Sequence, residues 1–537
     1  MLHSYAAPVN DAQGAQAQTV RFFQVGFDHV PDIARRHAVQ IEDIRDRDAY
    51  RLVFMRIMRI MGGHATSLSN VEIDWITMRM AEIGVLGLTL IVGVATPRIC
   101  GAALRAGVAR ADITPPAGEQ MWGYEDRRQP ATGTLDQLYA RVLVLEEGPA
   151  SAPTRLALVT LDLGRSFGPG SLARLRGAAK QSSGISCLLV AASHTHSAPV
   201  VRDEYRDAPP AWEQAALNKI AHAIADAAGS LQPARIGVGT GTAYIGHNRL
   251  RVNPDGTVSW FERNPTRIPT APVDPTVTVL RIDRADGTPL AVLTNYACHP
   301  VVFGPDNLRY SADYPGVMNR VVEQEIGGRV QSFFLQGAPG DINPYHAVTP
   351  LEQDAIGRRD WTGERLGREA ARVAKEIQTR APDSPGIDFI ESTIPVRLRW
   401  DIGKFRAALL KFLGPDGMEI YGARIVPEIP LPVTTVLIDR DIALMTMPGE
   451  PFVDFQMNWR DRCPVPHALL LGYTNGYNGY FPTIAAASRG GYGAASASTW
   501  VEPGTGERIV DNAVARVYEM LGRLSDMPDD LKGNVYK

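Results

Sequence analysis

Cysteine is scarce in this chain. Four stand among 537 residues, at Cys100, Cys187, Cys298 and Cys463, and no two form a CxxC pair. That argues against a thioredoxin-like motif, a cysteine zinc site and a disulfide scaffold. An excess of charge of one sign is also lacking: 55 Lys and Arg against 58 Asp and Glu leave a net charge of −3. Nucleic-acid binding needs a strongly basic face, which this balance does not offer. The apolar run IGVLGLTLIVGVA at 83–95 falls short of the roughly 20 residues that span a bilayer. No repeat with a period of about 20–50 residues is visible, so solenoids and propellers are set aside.

The same apolar run fits the h-region of a secretory signal, about 7–15 residues long. Small residues follow at Cys100, Gly101 and Ala102, before a cleavage point at Ala103, and Met78, Arg79 and Met80 lie just upstream. A signal does not sit deep inside a chain, so translation is expected to start at Met78 or Met80. Residues 78–102 are then a signal peptide, and the Arg-rich stretch 1–77 is an over-called reading frame or a disordered extension. A protein processed in this way is secreted or periplasmic. The alternative is a genuine extension followed by a buried apolar strand or helix.

What is present from residue 103 to 537 reads as one large α/β domain with a mixed β-sheet core and flanking helices. Short β-branched and leucine-rich runs recur at 141–147, 155–164, 187–193, 276–283, 289–299, 330–341 and 441–451, and each ends in Gly, Pro, Asp, Glu, Ser or His. Helical patterns occupy 209–231, 362–382 and 506–524. Polar residues gather just past the strand ends, at Asp162, His194 and His196, His299, Asp341 and Glu450. In open α/β sheets ligands bind at that edge.

SHTHSAP at 193–199 is the sharpest of these stretches. If the backbone stays extended, His194 and His196 face one side, either as half of a metal site or as a polar cap on a strand. His299 in NYACHP, taken alone, reads as a structural histidine, and Cys298 beside it as core. Glu450 in MPGEP reads alone as a solvated turn carboxylate. GYTNGYNGYFPT at 472–483 places Tyr473, Tyr477 and Tyr480 in a glycine-rich loop, which is expected at the surface. Two histidines and a carboxylate suit zinc, which takes about four N, O or S ligands and keeps a position open in catalytic sites. His196, beside a ligand, is placed to relay a proton.

Taken in order, AGVARADITPPAGEQMWGY, LVTLDLG, SHTHSAP, NYACHP, GAPGDINP, MPGEP and YNGYFPT resemble the neutral/alkaline non-lysosomal ceramidase family, from about Ala106 to about Trp500. The resemblance implies a zinc-dependent amidohydrolase that splits ceramide into sphingosine and fatty acid. It implies zinc ligands at His194, His299, Glu450 and Tyr480, with His196, Tyr492 and Asn343 at the catalytic centre. Substrate contacts fall on Arg249, in GHNRL, and on Asp341. Two departures stand out. The family's GDxSP motif reads GDINP here, so Asn343 replaces a serine, and an amide is no hydroxyl nucleophile. The family's C-terminal immunoglobulin-like domain is not expected before Lys537. The partner implied is a lipid or N-acyl small molecule met by transient contact with a membrane surface. The rival functions are a zinc hydrolase of another amide or ester, and a metal-containing binding protein without turnover.

Overall fold

The apolar runs do form strands. The structure, a computed structural model, describes residues 104–531 apart from 150, 204, 206–207, 383–385, 422–424 and 529–530, and for 412–421 the backbone alone. The expected extension 1–77 and signal segment 78–102 lie outside the described residues.

Twelve strands carry the architecture. They are β1 (Arg105–Asp112), β2 (Tyr139–Glu147), β3 (Thr154–Leu161) and β4 (Cys187–Ala192); β5 (Gln232–Thr242), β6 (Thr276–Arg284), β7 (Pro289–Tyr296) and β8 (Gln331–Gln336); and β9 (Ile387–Arg397), β10 (Glu428–Ile438), β11 (Ile442–Thr446) and β12 (His467–Leu471). The helices are α1 (Pro169–Ser183), α2 (Ala211–Gly229), α3 (Asp313–Ile326) and α4 (Ala355–Glu376), then α5 (Ile402–Tyr421), α6 (Val453–Arg462), α7 (Ile484–Arg489) and α8 (Thr505–Met520). None of the described helices is long and apolar enough to cross a membrane.

Three segments of the chain share one topology. In each, two antiparallel strand pairings are followed by a parallel one, a helix links the third strand to the fourth, and another helix follows the fourth. The first segment is β1–β4 with α1 and α2, the second β5–β8 with α3 and α4, and the third β9–β12 with α6 and α8. The first two share an eight-stranded sheet, ordered β8-β7-β6-β5-β1-β2-β3-β4, and the third forms a four-stranded sheet, β9-β10-β11-β12. The segments begin at residues 105, 232 and 387, so this repetition lies far outside the 20–50-residue periods read in the sequence.

Side-chain alternation decides which face of each strand meets which layer. In β2, Leu143 and Leu145 face a central cluster while Val142 and Val144 face the helices; in β3, Leu156 and Leu158 do the first and Ala157 and Val159 the second. The central cluster takes leucines from all three segments, among them Leu280, Leu293, Leu335, Leu444 and Leu469. Each buried leucine contributes about 1.5–3 kcal/mol. Outer faces are covered by Leu175, Ile220 and Ile224 of α1 and α2, by Met318 and Leu366 of α3 and α4, and by Trp459 and Ile509 of α6 and α8. Strands buried on both sides read as continuous apolar runs, which is why they were legible.

Two kinds of strand were not. β9 has mostly intermediate or exposed positions, so it lacks an apolar run. β5 is rich in glycine because α4 and the chain after it press on it: a Cβ at Gly237 would lie 2.6 Å from Ile377 Cγ2, and one at Gly241 2.2 Å from Glu369 Oε1. Helix α4 also starts earlier than expected, at Ala355, where the Asp354 side chain accepts a hydrogen bond from the Gly357 N–H at 3.2 Å.

Buried amides join the segments near the ends of their parallel strands. Asn475, just past β12, donates to Leu188 O at 3.0 Å and accepts from Val190 N at 2.9 Å, both in β4. Asn295 in β7 donates to Leu470 O in β12 at 3.0 Å. Gln336 closes β8 and donates to Ser193 O at 2.9 Å and Cys298 O at 3.0 Å. The strand-end loops of all three segments are thereby held together.

Candidate metal centre

His194 comes from the loop after β4. The strand ends at Ala192 and His194 has φ of 70°, a left-handed conformation. The extended geometry expected for the HTH motif is therefore not what aligns its histidines. Instead the His194 N–H donates to Leu163 O at 2.9 Å, and its Nδ1 lies 2.5 Å from Gly164 O. Its ring stacks on Tyr473 at 4.1 Å and 19°. His299 comes from the loop after β7, with Nδ1 2.6 Å from Pro339 O. A carbonyl can only accept, so each Nδ1 carries the proton and each Nε2 presents a lone pair.

Those lone pairs converge on a carboxylate. Glu450, after β11, places Oε2 3.0 Å from His299 Nε2 and 3.4 Å from His194 Nε2. Acceptors facing an acceptor repel unless a proton or a cation lies between them. Two neutral imidazoles and a carboxylate form a donor set suited to zinc, so the residues fit such an ion. His196 Nε2 lies 3.2 Å from His194 Nε2, and His194, His196 and His299 together form the group of the described residues that could hold a metal ion. Burial, followed by the neighbouring His194 and His299, holds His196 well below the usual histidine pKa. Burial, with Arg249 next, pushes His299 down to about 4. For Glu450 burial acts upward, but His194 and His299, where they carry a proton toward it, outweigh burial and keep the carboxyl well below its usual range; a bound cation acts in the same direction while the imidazoles stay neutral.

The tyrosine loop was expected at the surface and is instead buried, with Tyr473, Tyr477 and Tyr480 each no more than 5% exposed. The reason is Glu450. Tyr477 donates to its Oε1 at 2.5 Å and Tyr473 to its Oε2 at 3.2 Å. Glu450–Pro451 also pairs in parallel with Tyr480–Phe481, which brings Tyr480 alongside. Burial raises the Tyr480 pKa well above 10, against the pull of Arg249 and with a further push from Glu450. The roles of Tyr473 and Tyr477 were missed in the sequence, where only their spacing in YTNGYNGY was available. So was Arg165, fully buried, ion-paired with Asp203, its guanidinium 5.1 Å from the Tyr477 ring centre.

The remaining expected site residues divide into two groups. Arg249 is buried beside Tyr480, donating to its OH at 2.9 Å, to Gly340 O at 2.7 Å and to Asn343 Oδ1 at 3.0 Å. Trp260 and Tyr492 flank it, with ring centres 5.1 and 5.5 Å from the guanidinium carbon. Tyr492 is 49% exposed, with its ring 5.5 Å from that of Tyr480 and 5.2 Å from that of Trp260. The other end of the Asn343 amide donates to Glu262 O at 3.0 Å. Asp341 is taken up structurally: Oδ1 accepts from Val453 N at the start of α6 at 2.8 Å, and Oδ2 from Asn248 at 2.7 Å. Asp162 is likewise engaged away from the histidines, with Tyr139 N and Arg141 Nη1, each at 2.9 Å. Cys298 is core, as expected.

Residues 104–354 match the model of the family described as neutral/alkaline non-lysosomal ceramidase, N-terminal. That agrees with the resemblance carried by the ordered motifs. Among solved structures, a neutral ceramidase from Pseudomonas aeruginosa matches with a TM-score of 0.61 and 19% identity over 79% of this chain and 76% of that one. A structure described as ceramidase complexed with C2 matches with the same TM-score and identity over 80% and 76%. At this identity the likeness is one of fold, and the mixed α/β architecture is the one expected.

Proposed function

As a member, through residues 104–354, of the neutral/alkaline non-lysosomal ceramidase family, this chain, we propose, is a zinc-dependent amidohydrolase that cleaves the N-acyl bond of ceramide or a close N-acyl lipid. The observation that carries the reading is the convergence of His194 Nε2 and His299 Nε2 on one oxygen of Glu450, with both Nδ1 atoms committed to carbonyls. His194, His299, Glu450 and Tyr480 would hold the ion. Zinc, when bound, polarises a carbonyl and lowers the pKa of water.

The protein's own groups supply the rest. His196, neutral because burial depresses its pKa, accepts a proton at a ring nitrogen and returns it to the leaving amine as the C–N bond breaks. Tyr492, exposed beside Tyr480 and Arg249, donates to the oxygen on which charge develops. Arg249 has an Nε–H without a partner, available to a polar group of the substrate. Asn343 acts by holding Arg249 rather than by attack, and Asp341 by tying its own loop, which carries Asn343, to Asn248 and the Arg249 backbone. A second reading, hydrolysis of another amide or ester, is favoured by Asn343 where the family carries serine. Reaching a lipid substrate calls for transient contact with a membrane surface. We propose secretion or export on the strength of residues 78–102; N-terminal sequencing of the mature natural protein tests it, and a chain beginning before residue 78 overturns it.

The functional test is release of fatty acid from a fluorogenic N-acylsphingosine by the zinc-loaded protein, with a chelated control and with H194A. Chelator-sensitive release, lost in H194A together with bound zinc, is the expected outcome. No release from a protein with zinc bound overturns ceramide as substrate and moves the assay to other N-acyl compounds and esters. Zinc retained by H194A overturns the ligand assignment.

A further inference from the structure

Away from the histidines, a cavity of about 540 Å³ opens between the first and second segments, walled by β1, β2, α3 and α4. Arginines dominate it: Arg110, Arg141, Arg320 and Arg359 all line it. Arg359 is saturated, paired with Asp136 at 2.9 Å and Asp360 at 2.7 Å. The other three are not. The side chain of Arg320, on α3, makes no hydrogen bond or direct ion pair among the described residues, though the charge of Asp136 acts on it from nearby, and its N–H donors face solvent. Arg110 has a single, long ionic contact, 3.8 Å to Glu323. Arg141 is only 4% exposed and bonds Asp162 through Nη1 at 2.9 Å, while its buried Nε has no partner. A buried guanidinium donor left unmade is costly, and the side chain that carries it lines the cavity.

The carboxylates of the same wall are occupied by protein donors. Asp136 accepts from Ser311 Oγ, Ala312 N and Arg359. Asp162 accepts from Tyr139 N and Arg141. Glu323 accepts from Ser332 N at 3.1 Å. Tyr139 steadies the two arginines on the β-strands, whose guanidinium carbons lie 5.0 Å (Arg110) and 5.1 Å (Arg141) from its ring centre. Forked guanidiniums from three elements around one cavity match a phosphate group, which takes several charge-assisted hydrogen bonds at once.

We propose that this cavity is a binding site for a phosphate-bearing anion, held by Arg110, Arg141 and Arg320. Its occupant bridges the segment that carries His194 and the one that carries His299. Phosphate on a free metabolite and phosphate on an anionic lipid headgroup share this chemistry.

The test uses the whole protein and two probes. Inorganic phosphate is titrated by calorimetry and thermal unfolding against chloride of equal ionic strength. Vesicles of phosphatidic acid in phosphatidylcholine are compared with phosphatidylcholine alone. The variants are R320A and R110A/R320A, with R397A, an exposed arginine elsewhere, as the control for charge. Saturable phosphate binding, weakened roughly tenfold or more in R110A/R320A as charge-assisted bonds are lost and unchanged in R397A, is the expected result. Vesicle binding that disappears in the same variant assigns the lipid source; phosphate binding without it assigns the free anion. Absence of a saturable response to either probe, or an equal response in R110A/R320A, overturns the proposal. Arg110 and Arg320 are surface side chains, so the variants are expected to fold.

Discussion

Replacing Tyr477 by phenylalanine takes one oxygen out of the centre and leaves its ring in place. The ring keeps its edge contact with Trp122 at 5.3 Å and its place beside Arg165 at 5.1 Å. What goes is the 2.5 Å hydrogen bond to Glu450 Oε1. A hydrogen bond to a charged group contributes about 1.5–3 kcal/mol. Tyr473 still holds Oε2, but at 3.2 Å, so Glu450 loses the shorter of two anchors and gains freedom to turn away from the histidines. A loss of about 2 kcal/mol corresponds to roughly 30-fold in metal affinity, within the 10–100-fold that partners of ligands typically contribute. The assay is competition for zinc against a chelator, followed for wild type, Y473F and Y477F. The expected order of affinity is wild type, then Y473F, then Y477F. If the Y477F curve overlays that of wild type while H194A loses the metal, then Glu450 is not a ligand held by Tyr477 and the account of the centre fails.

A Cβ at Gly123 would stand 2.3 Å from His196 Cγ, at a φ of 107°, so G123A displaces His196 without touching His194, His299 or Glu450. Activity is expected to fall by roughly 100-fold, the typical cost of misplacing a catalytic group by about 1 Å, with zinc content unchanged; full activity would show that His196 takes no part. Burial raises Asp341 to about 7, against the pull of Val453 N and Asn248. The folded state then binds the extra proton between the ordinary carboxyl pKa and about 7, so this residue's contribution to stability falls as pH rises through that window. D341N, which does not titrate, should show a flatter pH dependence of unfolding than wild type between about pH 4 and 7, by a few kcal/mol; identical slopes would mean Asp341 stays ionised.

Much of the fold was readable because its strands are buried on both faces. β2, β3, β4 and β7 carry unbroken apolar runs, which need no alternation to be noticed. β9 alternates weakly and β5 is glycine-rich, so neither stood out, and their identity depends on the neighbours that cover them. The threefold topology left no trace in residue spacing, because it is a repetition of pairing and not of side chains.

Chemistry-bearing residues were fixed by the chain itself: two histidines in SHTHSAP, one in NYACHP, a glutamate in MPGEP, and the order in which they come. These local strings need only short-range context to be read. Their meeting did not follow from the chain, since His194 and Glu450 are 256 positions apart and their loops belong to different segments. Only tertiary structure decided that Gly164 O and Pro339 O would take the Nδ1 protons, that the tyrosine loop would be buried against Glu450, and that Asp341 would serve a helix end. Each of those outcomes turns on a partner distant in sequence, and hydrogen bonds and burial are properties of what a side chain meets, which the order of residues alone does not state.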